Sequence, residues 1–207
     1  MNVSAPLTRP FDGLASRIDA LGVRSVGFTS ALLGEGVSTI ALGTALSLAE
    51  LRDDPVLLVD ANWLQPSLTN DAGLESAPGV ADHLAHPAKR DAARRTLGSG
   101  LAFLPVGDRT LARPTLRAVG SFLANEVGAL ETVIVDLPPI LAGEPFVLPW
   151  AATLDQICVV VREEATPLPL VRQALGRLGA ASAPYIILNR AKASSVDVPA
   201  KLIAART

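Results

Sequence analysis

Residues 25–47 constrain the fold of this chain more than any other segment. An apolar run at 23–29 leads into a loop of small residues at 30–36, and an amphipathic run begins at Ser38. This order is typical of a strand, a phosphate-binding loop and the start of a helix. Glycines let the loop's N–H groups turn inward, and the helix adds unpaired N–H groups and the positive end of its dipole. The segment therefore predicts a nucleotide site.

The residue after the last glycine departs from the usual pattern of such a loop. A lysine there reaches the β- and γ-phosphates and offsets charge during phosphoryl transfer. This chain has Val37, which carries neither a charge nor a donor. An ion pair about 4 Å apart at an effective dielectric of about 20 is worth on the order of 4 kcal/mol, about three decades in rate or affinity. We therefore expect a loop that holds phosphate through backbone amides and turns it over slowly.

Length and composition favour a single domain spanning 1–207. With 207 residues, 49% of them hydrophobic, the chain can bury one sizeable core. The net charge is -2 and the basic residues are scattered, which argues against a nucleic-acid partner. The N-terminus lacks the apolar core of a secretory signal, and the apolar region 132–154 contains two acidic residues and four prolines. We expect a cytoplasmic chain without a transmembrane segment of its own.

Strand and helix patterns alternate along the chain. An N-terminal helix is expected within 1–22, a loop at 63–78 and a tail without periodicity at 192–207. The sequence predicts further strands at 56–59, 101–106, 132–136, 156–161 and 185–189, and helices at 39–51, 79–86, 114–130, 146–154 and 167–178. This alternation predicts an α/β fold with a mostly parallel sheet and helices on both faces.

Two aspartates, Asp60 and Asp136, end apolar strand patterns. In open α/β sheets ligands bind at the carboxyl ends of parallel strands, which is also where the loop lies. With the hydroxyl of Ser38 or Thr39, these carboxylates could hold Mg²⁺ through water. The alternative is that each aspartate only caps a following helix or turn.

Two histidines have a spacing that could bind a metal. His83 and His86 lie three positions apart, beside Asp82. The sequence implies no further ligand, so we expect both histidines on the solvent face of a short helix.

In this order the motifs resemble the bacterial tyrosine kinases of capsule and exopolysaccharide export. These kinases are a branch of the deviant-loop ATPases that includes septum-placement and plasmid-partition proteins. The resemblance covers nearly the whole chain, through TSALLGEGVSTIA (29–41), VLLVDANWLQPSL (56–68), PGVADHL (78–84), LAFLPVG (101–107), VIVDLPPIL (133–141), VVVREEATPLPLVRQALGRL (159–178) and IILNRA (186–191). It implies the three-layer architecture of P-loop NTPases and ATP or ADP with Mg²⁺ as ligands.

The resemblance also assigns roles to individual residues. It implies that Mg²⁺ is held by Ser38, Asp60 and Asp136 when nucleotide binds. The residues implied to contact the nucleotide are Gly34, Glu35, Gly36, Val37, Ser38 and Thr39 in the loop and, near the adenine, Asn189.

Several positions depart from the family pattern. Family members carry lysine in place of Val37, a second aspartate in place of Asn62, and arginines within 63–65. Asn62 cannot act as a base toward an attacking hydroxyl. Kinase members also end in a cluster of autophosphorylated tyrosines, whereas the single tyrosine here, Tyr185, lies in an apolar strand pattern. The retained residues are those of the scaffold, and the missing ones are those that perform chemistry.

These departures predict a catalytically inactive or severely impaired homologue. We expect it to act as a cytoplasmic regulator or adaptor that docks on a membrane polysaccharide co-polymerase or on an active kinase. One alternative is a slow ATPase or tyrosine kinase that borrows a cation from a partner chain or from an arginine, and another is a nucleotide-gated binding module. Within the chain, Lys192 is the one lysine expected near the ligand edge that could replace the lost one. The family's ring-forming helix matches 11–20 only loosely, so a homo-oligomer is allowed but not specified.

Overall fold

Strands and helices alternate along the part of the chain that the computed structural model describes, which comprises residues 9–52, 54–86, 94–98, 100–126, 132–179 and 183–190. The strands are β1 (Ser25–Ser30), β2 (Val56–Asp60), β3 (Arg95–Gly98), β4 (Leu101–Leu104), β5 (Thr132–Asp136), β6 (Gln156–Arg162) and β7 (Tyr185–Asn189). The helices are α1 (Arg9–Leu21), α2 (Val37–Leu51), α3 (Ser67–Asp71), α4 (Val80–Ala85), α5 (Leu116–Glu126), α6 (Ile140–Ala151) and α7 (Leu168–Leu178).

The strands form one seven-stranded sheet in the order β3-β4-β2-β5-β1-β6-β7. All neighbouring strands are parallel except β3 and β4, which are antiparallel. The central strands are buried throughout because helices cover both faces, which explains their uninterrupted apolar sequences. The predicted α/β fold with a mostly parallel sheet is therefore confirmed.

Two hydrophobic clusters lie on opposite faces of the sheet. Successive side chains of a strand point to opposite faces of the sheet, so Leu58 belongs to one cluster and Leu57 to the other. Helices α1 and α2 pack on the first face, where Ile18 and Leu48 are buried against the strands. Helices α4 to α7 cover the second face around Trp150. This arrangement brings the loop before α2 to the carboxyl edge of β1.

Three predictions of local structure were wrong in detail. The predicted loop 63–78 contains α3, which long-range bonds to Asp60 hold in place. Strand β3 was not predicted because its four residues show no clear alternation and it is defined by pairing with β4. Helix α6 begins at Ile140, before the predicted start, because Pro145 and Pro149 and a non-helical Gly143 disturb its periodicity. The predicted helix 114–130 corresponds to α5, and its last part, 127–130, lies outside the described residues, as does the tail at 192–207.

Among the described residues the longest helix, α2, has 15 residues. Within those residues, no helix combines the length and the hydrophobicity that are needed to cross a bilayer.

Candidate functional site

The loop between β1 and α2 turns on two glycines with left-handed backbone angles. Gly34 has a φ of 79° and Gly36 a φ of 89°. Gly36 is the N-cap of the 15-residue helix α2, and no side chain caps that helix at this position. The first-turn N–H groups of α2 are therefore not used by an N-cap side chain. This is the backbone arrangement that the sequence predicts for an anion site.

A buried glutamate fastens the loop to the next strand of the sheet. The carboxylate of Glu35 accepts hydrogen bonds from the backbone N–H of Arg162, at 2.7 Å, and from the hydroxyl of Thr166, at 2.6 Å. The side-chain amide of Asn189 donates to the backbone carbonyl of Glu35 at 2.7 Å. A Cβ at Gly36 would collide with that amide. The ends of β6 and β7 thus set the shape of the loop.

A cleft of about 250 Å³ opens beside the loop. Val37 lines this cleft and also packs against the hydrophobic cluster beneath α1 and α2. Among the described residues that line the cleft, none is lysine, arginine or histidine. They are Ser30, Leu32, Leu33, Gly34, Glu35, Gly36, Val37, Ser38, Thr39, Asn62, Gln65, Ser67, Leu137 and Pro139. The loop is thus open, and it lacks a cationic side chain.

Asp60 and Asp136 lie side by side in the register of β2 and β5, and both are fully buried. Asp60 is engaged in local structure: it accepts hydrogen bonds from the N–H of Thr69 at 2.9 Å, from the Thr69 hydroxyl at 2.8 Å and from the N–H of Asn62 at 3.1 Å. Burial raises the pKa of Asp60 to about 6, although these hydrogen bonds lower it in part. The capping alternative therefore describes Asp60 well, since its carboxylate holds α3.

Asp136 differs from Asp60 because its carboxylate oxygens have no hydrogen-bond partner of ordinary length among the described residues. Burial raises its pKa well above the usual range and the charge of Asp60 raises it further, whereas the nearby Ser38 hydroxyl lowers it. A buried, unpartnered carboxylate beside a hydroxyl in the first turn of α2 is a suitable donor set for a water-bearing Mg²⁺ ion. The residues present fit this ion.

The hydroxyl of Ser38 has a second neighbour that the sequence did not indicate. Ser67, the first residue of α3, donates a hydrogen bond of 2.8 Å to the Ser38 oxygen. Both serines line the cleft. Because Thr69 binds Asp60 two residues later, α3 is attached both to the loop and to the buried acidic pair.

Positions at which the resembled family carries an acid and arginines are used here for packing. The Asn62 side-chain oxygen accepts a hydrogen bond from the N–H of Gln65 at 2.9 Å, which closes a local turn. Trp63 is buried and stacks on Phe146 with ring centroids 6.3 Å apart, and Arg109 donates to the Trp63 carbonyl at 2.7 Å. Neither Asn62 nor Trp63 supplies a base or a cation to the cleft.

The two histidines do not form the metal site that their spacing allowed. His83 is buried, with its ring 5.9 Å from that of Phe122, so its predicted place on a solvent face was wrong. His86 is exposed, as expected. In the described ranges no group of three or more His, Cys, Asp and Glu side chains could hold a metal ion.

Known proteins resemble this chain in structure rather than by sequence search. No protein-family model matches the chain, and no curated protein matches it by sequence. It is similar to the crystal structure of the VpsO kinase domain, with 28% identity, a TM-score of 0.73 and coverage of 90% of this chain and 93% of that one. It is also similar to the kinase domain of Escherichia coli tyrosine kinase ETK, with 20% identity, a TM-score of 0.73 and coverage of 87% and 74%. A ParA family ATPase from Chlorobium tepidum shares the fold, with 21% identity, a TM-score of 0.66 and coverage of 87% and 80%.

Proposed function

We propose that this chain is a degenerate relative of the bacterial tyrosine kinase domains, one that binds a nucleotide with Mg²⁺ weakly and transfers its phosphoryl group slowly or not at all. The carrying observation is Val37, which stands in an open cleft whose described lining residues include no cation. Transition-state charge on the terminal phosphate would therefore meet no compensating side chain there.

The retained residues suit binding better than catalysis. Backbone N–H groups of the loop and of the first turn of α2 would hold phosphate oxygens, and Ser38 and Asp136 would hold the waters of Mg²⁺. The ion would supply charge neutralisation of the bound phosphates. On the side where an attacking hydroxyl would need a base, Asn62 offers an amide whose oxygen is already used by Gln65.

The proposed role is that of a cytoplasmic regulator or adaptor in exopolysaccharide or capsule synthesis and export. Its partner would be a membrane polysaccharide co-polymerase or an active kinase, which would bring it to the inner face of the plasma membrane. The kinase domains among the structural neighbours support the family, and the resemblance of the motifs supports the pathway.

A second candidate is a slow ATPase or tyrosine kinase that borrows a cation from a partner chain. The carboxylate of Asp136, which has no hydrogen-bond partner of ordinary length among the described residues, supports it, because an active enzyme would need the Mg²⁺ site that this carboxylate could complete. An arginine supplied in trans can restore phosphoryl transfer in this class of site. Lys192, the internal alternative, lies outside the described residues.

Steady-state ATP hydrolysis by the purified chain, with and without Val37→Lys, tests the proposal. We expect wild-type turnover no higher than that of Asp136→Ala and, by calorimetry with Mg-ATP, a clear gain in nucleotide affinity for Val37→Lys. Wild-type hydrolysis that Asp136→Ala abolishes would contradict the inactive assignment. Phosphotransfer that appears only on mixing with the co-polymerase or kinase of the same export system would favour the second candidate.

A further inference from the structure

The charge balance of the cleft limits the ligands it can take. Glu35 is the only ionisable side chain among the described lining residues, and it is negative. The nearby buried pair Asp60 and Asp136, whose pKa values burial raises, offers no positive charge either. The positive contributions on the protein side are the backbone N–H groups and the α2 dipole, equivalent to about half an elementary charge. Each additional phosphate group therefore adds negative charge that no cationic side chain among the described lining residues offsets.

The site nevertheless carries two independent signs of a ligand. The first is the N-terminus of the 15-residue helix α2, which begins at the cleft without a side-chain cap. The second is Asp136, a fully buried carboxylate that has no hydrogen-bond partner of ordinary length among the described residues and lies near the hydroxyl of cleft-lining Ser38. Ser38 lies in the first turn of α2, where backbone amides could bind a phosphate, and it is close to the carboxylate of Asp136, which could bind an ion. A metal-bound phosphate group satisfies both.

The cleft is also small and largely neutral at its walls. Its volume of about 250 Å³ is below the range of about 300–1,000 Å³ that is usual for ligand pockets. Leu33, Val37, Leu137 and Pro139 contribute apolar surface to it. A terminal phosphate placed against these side chains would lose water and gain no ion pair, which is unfavourable.

From these observations we propose that the cleft prefers a nucleoside diphosphate with Mg²⁺ over a nucleoside triphosphate with Mg²⁺. The diphosphate is then the form that the chain binds more tightly. This inference rests on the proposed function, because it requires that nucleotide binds at all. The preference arises from the absent cation at position 37. It is the reverse of what a lysine at that position would give, since that lysine grips the terminal phosphates.

Calorimetry of the full chain with Mg-ADP and with Mg-ATP, at equal free Mg²⁺ and ionic strength, tests the preference. We expect Mg-ADP to bind at least about tenfold more tightly, a difference of about 1.4 kcal/mol. Val37→Lys should reverse the order, and the matched control Val37→Met, which is long but uncharged, should keep it. Equal affinities in the wild-type chain, or tighter Mg-ATP binding, would overturn the inference and leave the proposed function standing.

A second measurement works without any variant. Because the preference is electrostatic, the ratio of the two dissociation constants should fall toward one as salt rises from about 0.05 M to about 0.5 M. A ratio that does not change with salt contradicts the charge argument. Failure of the wild-type chain to bind either nucleotide at millimolar concentration would instead overturn the proposed nucleotide site together with this preference.

Discussion

The side-chain amide of Asn189 donates a hydrogen bond to the backbone carbonyl of Glu35 over 2.7 Å, which joins the end of β7 to the middle of the loop before α2. The resemblance of the motifs places the same asparagine near the adenine of a bound nucleotide. One amide would therefore both hold the loop and lie beside the base. Contact with the base and the shape of the loop would then be coupled.

Asn189→Ala should weaken the loop and the fold modestly. Loss of this hydrogen bond is expected to cost about 0.5–1.5 kcal/mol, and each kcal/mol corresponds to about 2–4 °C in Tm for a chain of this size. Thermal denaturation measures the change. Asn125→Ala is the matched control, because Asn125 is exposed on α5 and its hydrogen bond to Ser121 is long, at 3.5 Å. Equal effects of the two substitutions would mean that the bond to Glu35 is not what stabilises the loop.

Removal of the Glu35 carboxylate should have a larger effect. Glu35→Ala leaves the N–H of Arg162 and the hydroxyl of Thr166 without this acceptor in a partly buried place. We expect a loss of about 1–3 kcal/mol in the free energy of unfolding, measured by urea denaturation. Glu75→Ala, a substitution at an exposed glutamate, should change it by less than about 0.5 kcal/mol. A neutral result for Glu35→Ala would show that the loop holds its shape without this anchor.

Much of the sheet could be predicted from the sequence because buried parallel strands have continuous apolar sequences. The segment 132–136 coincides with the buried strand β5 for this reason, whereas 185–189 coincides with β7, an apolar strand that lies exposed at the edge of the sheet. The placement of Asp60 and Asp136 at one edge followed from the same logic, since parallel strands end together. These features depend on local patterns and on a general rule of topology.

The contacts that shape the candidate site could not be predicted in the same way. The bond from Ser67 to Ser38 and the bond from Thr166 to Glu35 join residues that are distant in the sequence and show no periodicity. The resemblance implies that Glu35 contacts a nucleotide, but nothing in the sequence indicates that its carboxylate also anchors the loop to Arg162 and Thr166. His83 looked exposed because a six-residue helix is too short for its buried face to be recognised.

Gly36→Ala adds only a methyl group, but it should disrupt the loop. Gly36 has a φ of 89°, a conformation that side chains rarely adopt, and the added Cβ would collide with the amide of Asn189. We expect a loss of stability above about 1 kcal/mol and loss of nucleotide binding, measured by denaturation and calorimetry. Gly176→Ala is the matched control: it lies in α7, has open space around it and should stabilise by about 0.5–1 kcal/mol. Stability of Gly36→Ala equal to that of the wild-type chain would contradict this account of the loop.

Asp136→Asn should stabilise the chain without Mg²⁺, and the gain should depend on pH. A carboxyl whose pKa is raised by folding contributes stability below its unfolded pKa, about 3.9, and loses it as the pH rises through the folded value. Burial and the charge of Asp60 raise the pKa of Asp136 in this way. The amide cannot ionise, so the variant should match the wild-type chain near pH 4 and exceed its Tm increasingly as the pH rises toward 8.

The same variant tests the magnesium assignment, because Mg-ADP should change which of the two chains, Asp136→Asn or wild type, is the more stable. Mg²⁺ with ADP beside Asp136 would favour the ionised carboxylate and raise the Tm of the wild-type chain, whereas the asparagine offers only a neutral ligand. We therefore expect the stability advantage of Asp136→Asn at pH 8 to shrink or invert when Mg-ADP is added. Asp71→Asn, at an exposed aspartate, is the control and should show neither the pH dependence nor the response to Mg-ADP. An advantage that Mg-ADP leaves unchanged would mean that the buried carboxylate does not face the ion, because a bound cation must offset the charge that makes Asp136 unfavourable.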